Sequence, residues 1–285
     1  MTAAAGAPAL GLHTDLSNEA YHADKTSLSS SGARKLLPPS CPAKFRHEQD
    51  HPQPATKTFD YGNAAHKEVL GNGPELVLVD HDLWNTDAIR AEVAAIRDAG
   101  GIPLKRHELD MIKAMGEALR ANPLAAALLD PAHGAPEQSG FWIDGPTGIR
   151  RRVRFDWLPS IHAGRLIIPD FKTCEDASED AIARSIAKYG YHMQADWYED
   201  AARAFGLGGE DAELLLIAQE KKPPFLINVV GIPFEDRLIA RNKNRRAIET
   251  WAECTQTGVW PGYGDEPNYV SLPAWSAIRD KETYL

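Results

Sequence analysis

The chain has 285 residues, 43% hydrophobic and 25% charged, enough for one large domain or two small ones around a buried core. Its 31 Lys and Arg stand against 40 Asp and Glu, a formal net charge of −9, so no general basic coat attracts a polyanion and any nucleic-acid contact has to be local. Ordinary aromatic content, with 22 Gly and 20 Pro spread along the chain, excludes a collagenous, low-complexity or disordered protein.

In chain order, residues 1–12 are rich in Ala, Gly and Pro, and no Lys or Arg precedes Lys25, so the basic start of a secretory signal is missing. No apolar run approaches the roughly 18 residues of a membrane span. The expectation is a cytoplasmic protein with no membrane partner. Cys41, Cys174 and Cys254 are far apart and form no C-x-x-C pair, which predicts reduced thiols and neither a zinc nor an iron–sulfur site. Residues 27–32 read as a hydroxyl-rich helix cap feeding a short helix that Pro38 and Pro39 stop. A helix is predicted over 59–70, closed by the Gly-Asn-Gly-Pro run at 71–74, then a strand over 75–79. Helices over 86–99 and 105–121 follow, expected as an insertion packed beside a sheet.

The period then changes from helical to alternating. Residues 139–143, 149–158 and 165–172 predict three strands, arranged as an antiparallel meander with turns near 144–146 and 160–164. Alternation places Arg150, Arg152, Arg154 and Asp156 on one face of the second strand and Arg151, Val153, Phe155 and Trp157 on the other. Asp170 and Lys172 likewise share a face of the third. A helix over 186–205, strands over 212–219 and 227–233, and a basic helix over 235–255 complete the reading.

Asp156 and Asp170 fall near the ends of neighbouring predicted strands, with Lys172 two residues further on. Two carboxylates held close together are costly without a cation between them, and hard carboxylate oxygens suit Mg²⁺ or Mn²⁺. A lysine on the same face can contact a scissile phosphate and help place a nucleophile. That combination points to phosphodiester hydrolysis.

Pro169-Asp170-Phe171-Lys172, with Asp156 upstream, resembles the PD-(D/E)xK nuclease core. Gly62-Asn63-Ala64-Ala65-His66 resembles the G-x-x-x-H helix of RecB-type nucleases, and Gln194-Ala195-Asp196-Trp197-Tyr198 their Q-x-x-x-Y helix. The segment Leu28-Ser29-Ser30-Ser31 leading to Pro42-Ala43-Lys44-Phe45, together with Asp170-Phe171-Lys172-Thr173, resembles the RecE-like exonucleases. The resemblance implies an α/β (α+β) restriction-endonuclease-like fold, a central mixed sheet flanked by helices with a helical insertion. It also implies one domain over 16–260, between a flexible tail at 1–15 and an extension at 261–285. Further implied are a Mg²⁺ (or Mn²⁺) site ligated by Asp156, Asp170, His66 and the Phe171 carbonyl, a catalytic Lys172, and Gln194 and Tyr198 lining the site. Glu137 is the candidate for a further upstream acid. The activity implied is exonucleolytic, 5′ to 3′, on ends of double-stranded DNA in recombination or repair, by a ring-forming homo-oligomer that works with a single-strand annealing protein.

Arg150, Arg152 and Arg154 lead along one strand face to Asp156, which a local DNA track requires in an acidic protein, though pairing with surface acids explains them equally. Ser29 and Ser31 could hold a terminal phosphate, but an ordinary helix cap is the preferred reading. A solvated face is preferred for the basic residues of the last helix, Arg241, Lys243, Arg245 and Arg246. The rivals are a structure-specific or single-strand nuclease on the same core, and a DNA-binding protein without turnover.

Overall fold

The computed structural model describes residues 7–51, 57–81, 83–160, 165–208, 212–264 and 266–285. The elements run β1 (Gly11–His13), α1 (Asn18–Ala23), α2 (Ser30–Lys35), α3 (Pro42–Asp50), α4 (Lys57–Leu70), β2 (Leu76–Leu78), α5 (Asp87–Asp98), β3 (Ile102–Leu104), α6 (Arg106–Ala121) and α7 (Pro123–Leu128). They continue with β4 (Gly134–Ile143), β5 (Arg150–Pro159), β6 (Ile167–Cys174), α8 (Glu179–Tyr189), α9 (Tyr191–Ala204), β7 (Glu213–Glu220), β8 (Ile227–Gly231), α10 (Phe234–Thr257) and α11 (Ala274–Tyr284). The mixed α/β fold read from the sequence is the fold observed, with sheets flanked by helices.

Among the described residues three small sheets carry it: β1-β4-β5, β2-β3 and β6-β7-β8. β4 and β5 form the expected antiparallel hairpin, but β6 leaves the meander and pairs in parallel with β7, from Ile167↔Glu213 to Cys174↔Glu220. Parity along a strand specifies its faces and says nothing about its partner, which here lies 46 residues on, from Ile167 to Glu213. β5 and β6 still meet, because the Phe171 amide donates to Asp156 Oδ2 at 3.0 Å.

Apolar side chains divide between the two sides of this framework. Val153, Phe155, Ile168, Leu214 and Leu216 face helices α2, α9 and α10 through Ala33, Trp197, Ala201, Ala247 and Trp251. Phe171 and Ile217 face α4, α6 and α7 through Ala64, Ala65, Ile112, Met115 and Ala125, and Trp157, at the end of the β5 face that carries Phe155, joins the same cluster. Burial alternates strictly from Arg150 to Trp157, as the period-two reading of β5 requires.

The helix expected over 186–205 is two helices. Gly190 adopts φ 68°, ψ 35°, closing α8 and opening α9, and a Cβ there would stand 2.7 Å from Arg34 Cδ. Left-handed backbone and close approach both require glycine. Gly190→Ala is therefore expected to cost about 1–2 kcal/mol, checked by the urea midpoint; an unchanged midpoint would show that the corner relaxes freely.

The proposed tail at 1–15 also differs from expectation over its described part. Gly11–His13 pairs antiparallel with β4, and the Arg150 guanidinium donates to the Pro8 carbonyl. An open sheet edge with unpaired backbone groups favours such an addition. Residues 1–6 and most of the predicted turn at 160–164 lie outside the described residues.

The basic helix is not a solvated face throughout. On α10, Arg237, Arg241 and Arg245 stand four residues apart and reach Glu199 Oε1 (3.1 Å), Asp196 Oδ1 (3.3 Å) and, through two parallel bonds, Asp144 (2.9 and 3.1 Å). All three acids are buried, and Asn244 adds a bond to Asp196 at 2.9 Å. These cations fix α10 onto α9 and the β4–β5 turn.

Candidate active site

Four elements converge at one point. β5 brings Asp156, β6 brings Asp170, Phe171 and Lys172, β4 brings Glu137, and α4 brings His66. The hairpin register sets the first contact: Pro136 pairs with Trp157 and Gln138 with Phe155, so Glu137 falls opposite Asp156. The ladder is interrupted at that position, and Glu137 adopts φ 56°, a left-handed conformation that a glutamate rarely takes. Like charges directly across a strand pair are destabilising. Strained backbone and facing carboxylates together mark a place organised for something other than stability.

His66, Glu137 and Asp156 offer ligand atoms that all lie within 4.8 Å of one another. Around Mg²⁺, with bonds of about 2.0–2.1 Å, opposite ligands stand roughly 4 Å apart, so the group fits a single hard divalent cation with slight closure. Burial, aided by Lys172, pushes His66 down to about 4, so it is neutral at pH 7 and free to donate a lone pair. The Asp156 carboxyl is shifted upward, chiefly by burial with the Glu137 charge adding to it, and a bound cation would reverse that shift.

Asp170 is fully buried, and burial foremost raises its carboxyl to about 6. Its Oδ2 is ion-paired with Lys172, and its Oδ1 accepts from Gln194 Nε2 at 2.7 Å. Lys172 Nζ also lies 3.8 Å from Asp156 Oδ2. Burial works against the ammonium charge, but Asp170 and Asp156 more than offset it, and Lys172 is held above its ordinary range. The Phe171 main chain enters through its amide bond to Asp156, while its ring meets His66 edge-on at 5.2 Å.

Tyr198 lines the cavity at the site along with Gln194. Its hydroxyl donates to the Arg154 carbonyl at 2.7 Å and its ring packs on Phe155, so it braces β5 where the strand carries Asp156. Ser29 caps α2, accepting from the Gly32 amide at 3.2 Å, and its hydroxyl meets that of Ser31 at 3.1 Å. Arg152 bonds the Tyr21 and Asp24 carbonyls, and Arg154 bonds Glu137, Leu16 and Ser139. Both thereby clamp the N-terminal segment onto β5 while lining the site's cavity of about 300 Å³ along with Ser29 and Ser31. Arg150 lies away from that cavity, bonded to Ser27 Oγ at 2.8 Å. Sequence reading missed Arg34, Tyr189 and Tyr191, which line the same cavity. The signal available for the tyrosines was a glycine between two aromatics in an otherwise helical stretch.

An acidic pair and a lysine where β5 and β6 meet, with helices on both faces, define the PD-(D/E)xK-like class of domain. The chain belongs to the PDDEXK-like domain family of unknown function DUF3799, whose profile matches residues 29–273. Among solved structures it is similar to a proposed exonuclease from Eubacterium rectale, with a TM-score of 0.60 at 13% identity, covering 96% of this chain and 100% of that one. That likeness concerns the fold alone. The solved structure of SSO0001 superposes with a TM-score of 0.35 at 16% identity over 79% of this chain and 77% of that one, too low to carry an argument. No curated protein matches the chain. Among the described residues no helix is long and apolar enough to cross a membrane.

Proposed function

We propose that the protein is a metal-dependent exodeoxyribonuclease that hydrolyses phosphodiester bonds from ends of double-stranded DNA, related to the RecE-like nucleases and active in recombination or repair. The observation that carries it is the meeting of His66, Glu137 and Asp156 as a cation-sized donor set beside the Asp170–Lys172 pair. Membership of a PDDEXK-like family and a fold shared with a proposed exonuclease support the same reading. Mg²⁺ or Mn²⁺, held by His66, Glu137 and Asp156 with Asp170 as a further candidate ligand, would supply charge stabilisation to the phosphate.

The chain's own groups have separable tasks. Lys172 presents an ammonium at the same point, suited to neutralising a non-bridging phosphate oxygen and orienting a water. Gln194 and Lys172 fix the Asp170 rotamer from two sides. Burial of Asp170 and the Phe171 amide on Asp156 hold the carboxylates where charge has to be met without rearrangement.

Removing one ligand charge tests the donor set. Glu137→Gln is expected to weaken Mn²⁺ binding by about 10–100-fold, read by isothermal titration; unaltered affinity would remove Glu137 from the set. The activity is tested on linear duplex with a 5′-phosphate, the same duplex with a 5′-hydroxyl, a closed circle and single strands, each with Mg²⁺ and with EDTA. Mononucleotide release from linear duplex alone, dependent on metal, is expected. Cutting of circles or preference for single strands would favour a structure-specific or single-strand nuclease on the same core, and binding without cleavage a non-catalytic DNA-binding protein. The 5′ to 3′ polarity, a ring-shaped homo-oligomer and a single-strand annealing partner rest on the RecE-like resemblance.

A further inference from the structure

Two cavities meet at Tyr189 and Tyr191. One, of about 300 Å³, holds Asp156 and Gln194; the other, of about 460 Å³, holds Lys172, Arg184 and Lys188. Any linear ligand lying across the candidate active site from one cavity to the other has to pass the two rings. The rings stand 5.6 Å apart at 31°, on either side of the Gly190 corner. Tyr189 is 42% exposed, which core packing does not explain. Lys172 Nζ lies 5.8 Å from the centre of the Tyr191 ring, placing the aromatic pair beside the reacting group.

Charge repeats the direction. Arg184 and Lys188 are four residues apart on α8, an arrangement of like charges that destabilises a helix slightly. Neither forms an ion pair among the described residues, although Lys188 Nζ lies 5.0 Å from the centre of the Tyr189 ring and Asp176, in the same cavity, feels the Arg184 charge. Lys221, in the same cavity, is paired with Glu175. An exposed tyrosine beside cations that lack an ion pair is the combination that binds a single nucleic-acid strand, with a base on the ring and phosphates on the cations.

We propose that the Tyr189–Tyr191 corner and the Arg184–Lys188 face of α8 form a binding subsite for the DNA strand that runs through the active site, one base stacking on Tyr189 and the adjoining phosphates meeting Arg184 and Lys188. The inference rests on the nuclease reading and adds to it the path of the strand and an aromatic contact indifferent to sequence.

The test is binding of a 12-nucleotide single-stranded DNA carrying 2-aminopurine, followed by anisotropy and 2-aminopurine fluorescence in EDTA so that nothing is cut. Wild-type protein is expected to quench the base; Tyr189→Ala should lose the quenching and bind about ten-fold more weakly, while Tyr189→Phe keeps both. The double variant Arg184→Ala/Lys188→Ala should bind about ten-fold more weakly, with the log–log salt slope reduced by about 1.4. Wild-type quenching in Tyr189→Ala, or an unchanged slope in the double variant, overturns the proposal. Cleavage by wild type in Mg²⁺, assayed separately, keeps the two readings distinct. If wild type cuts and the variants bind as it does, only the strand path fails; if wild type neither cuts nor binds DNA, both fail.

Discussion

Lys172→Ala is expected to lower single-turnover cleavage of duplex DNA by about 10³-fold, the effect of removing one fixed group that meets developing charge. Mn²⁺ binding should survive or tighten, because the variant loses a competing cation 3.8 Å from Asp156 Oδ2. The split between lost turnover and retained metal separates a catalytic lysine from one that merely neutralises Asp170. Lys172→Arg should fail to rescue, since a planar guanidinium cannot occupy the place of a compact ammonium between two carboxylates. Cleavage by Lys172→Ala within ten-fold of wild type would remove the assignment. Asp170 loses its ion pair in this variant, so thermal melting on the same samples checks that the fold is kept.

The second large effect concerns stability. Arg151 is 3% exposed, and its guanidinium lies between the rings of Trp142 (4.5 Å) and Trp197 (4.0 Å), bonded to Asp200 and 3.9 Å from Asp144. Burial pulls its pKa down, and Asp200 and Asp144 work in the other direction to keep it charged. Asp200, whose side chain is 38% exposed, keeps Arg203, and Asp144 keeps Arg245, so the cost lies in the space left between the two rings, typically about 2–5 kcal/mol for a large buried side chain cut to alanine. Arg151→Ala should lose that much in urea denaturation. A loss below about 1 kcal/mol would mean that Trp142 and Trp197 close over the vacated space. The residue lies on the strand that carries Asp156, so the same variant should also loosen the active site.

Some of this was legible in the sequence and some was not, for identifiable reasons. The alternation of β5 was readable because a half-buried strand needs it, and it placed Arg152, Arg154 and Asp156 on one face. It could not reveal that the N-terminal segment covers that face and occupies Arg150, Arg152 and Arg154 with backbone carbonyls. Those contacts span 128 residues or more of chain, beyond any local pattern. Glu137 carried no motif of its own, and its place opposite Asp156 follows from the hairpin register. The split at Gly190 was hidden because one glycine inside a helical pattern is usually tolerated, and the left-handed geometry that ends α8 is a choice of the packed chain. Asp170 and Lys172 were readable from strand parity and the chemistry of paired carboxylates beside a lysine, while His66 and Gln194 were identified by family resemblance; the structure supplies the distances among them.

His66, Glu137 and Asp156 are proposed to form the cation site beside Lys172. A crystal grown or soaked with Mn²⁺ and measured for anomalous scattering tests it directly. One peak is expected, within bonding distance of Glu137 and Asp156 carboxylate oxygens and a His66 ring nitrogen. A protein that cleaves DNA with Mn²⁺ while the anomalous peak lies on other residues would contradict it.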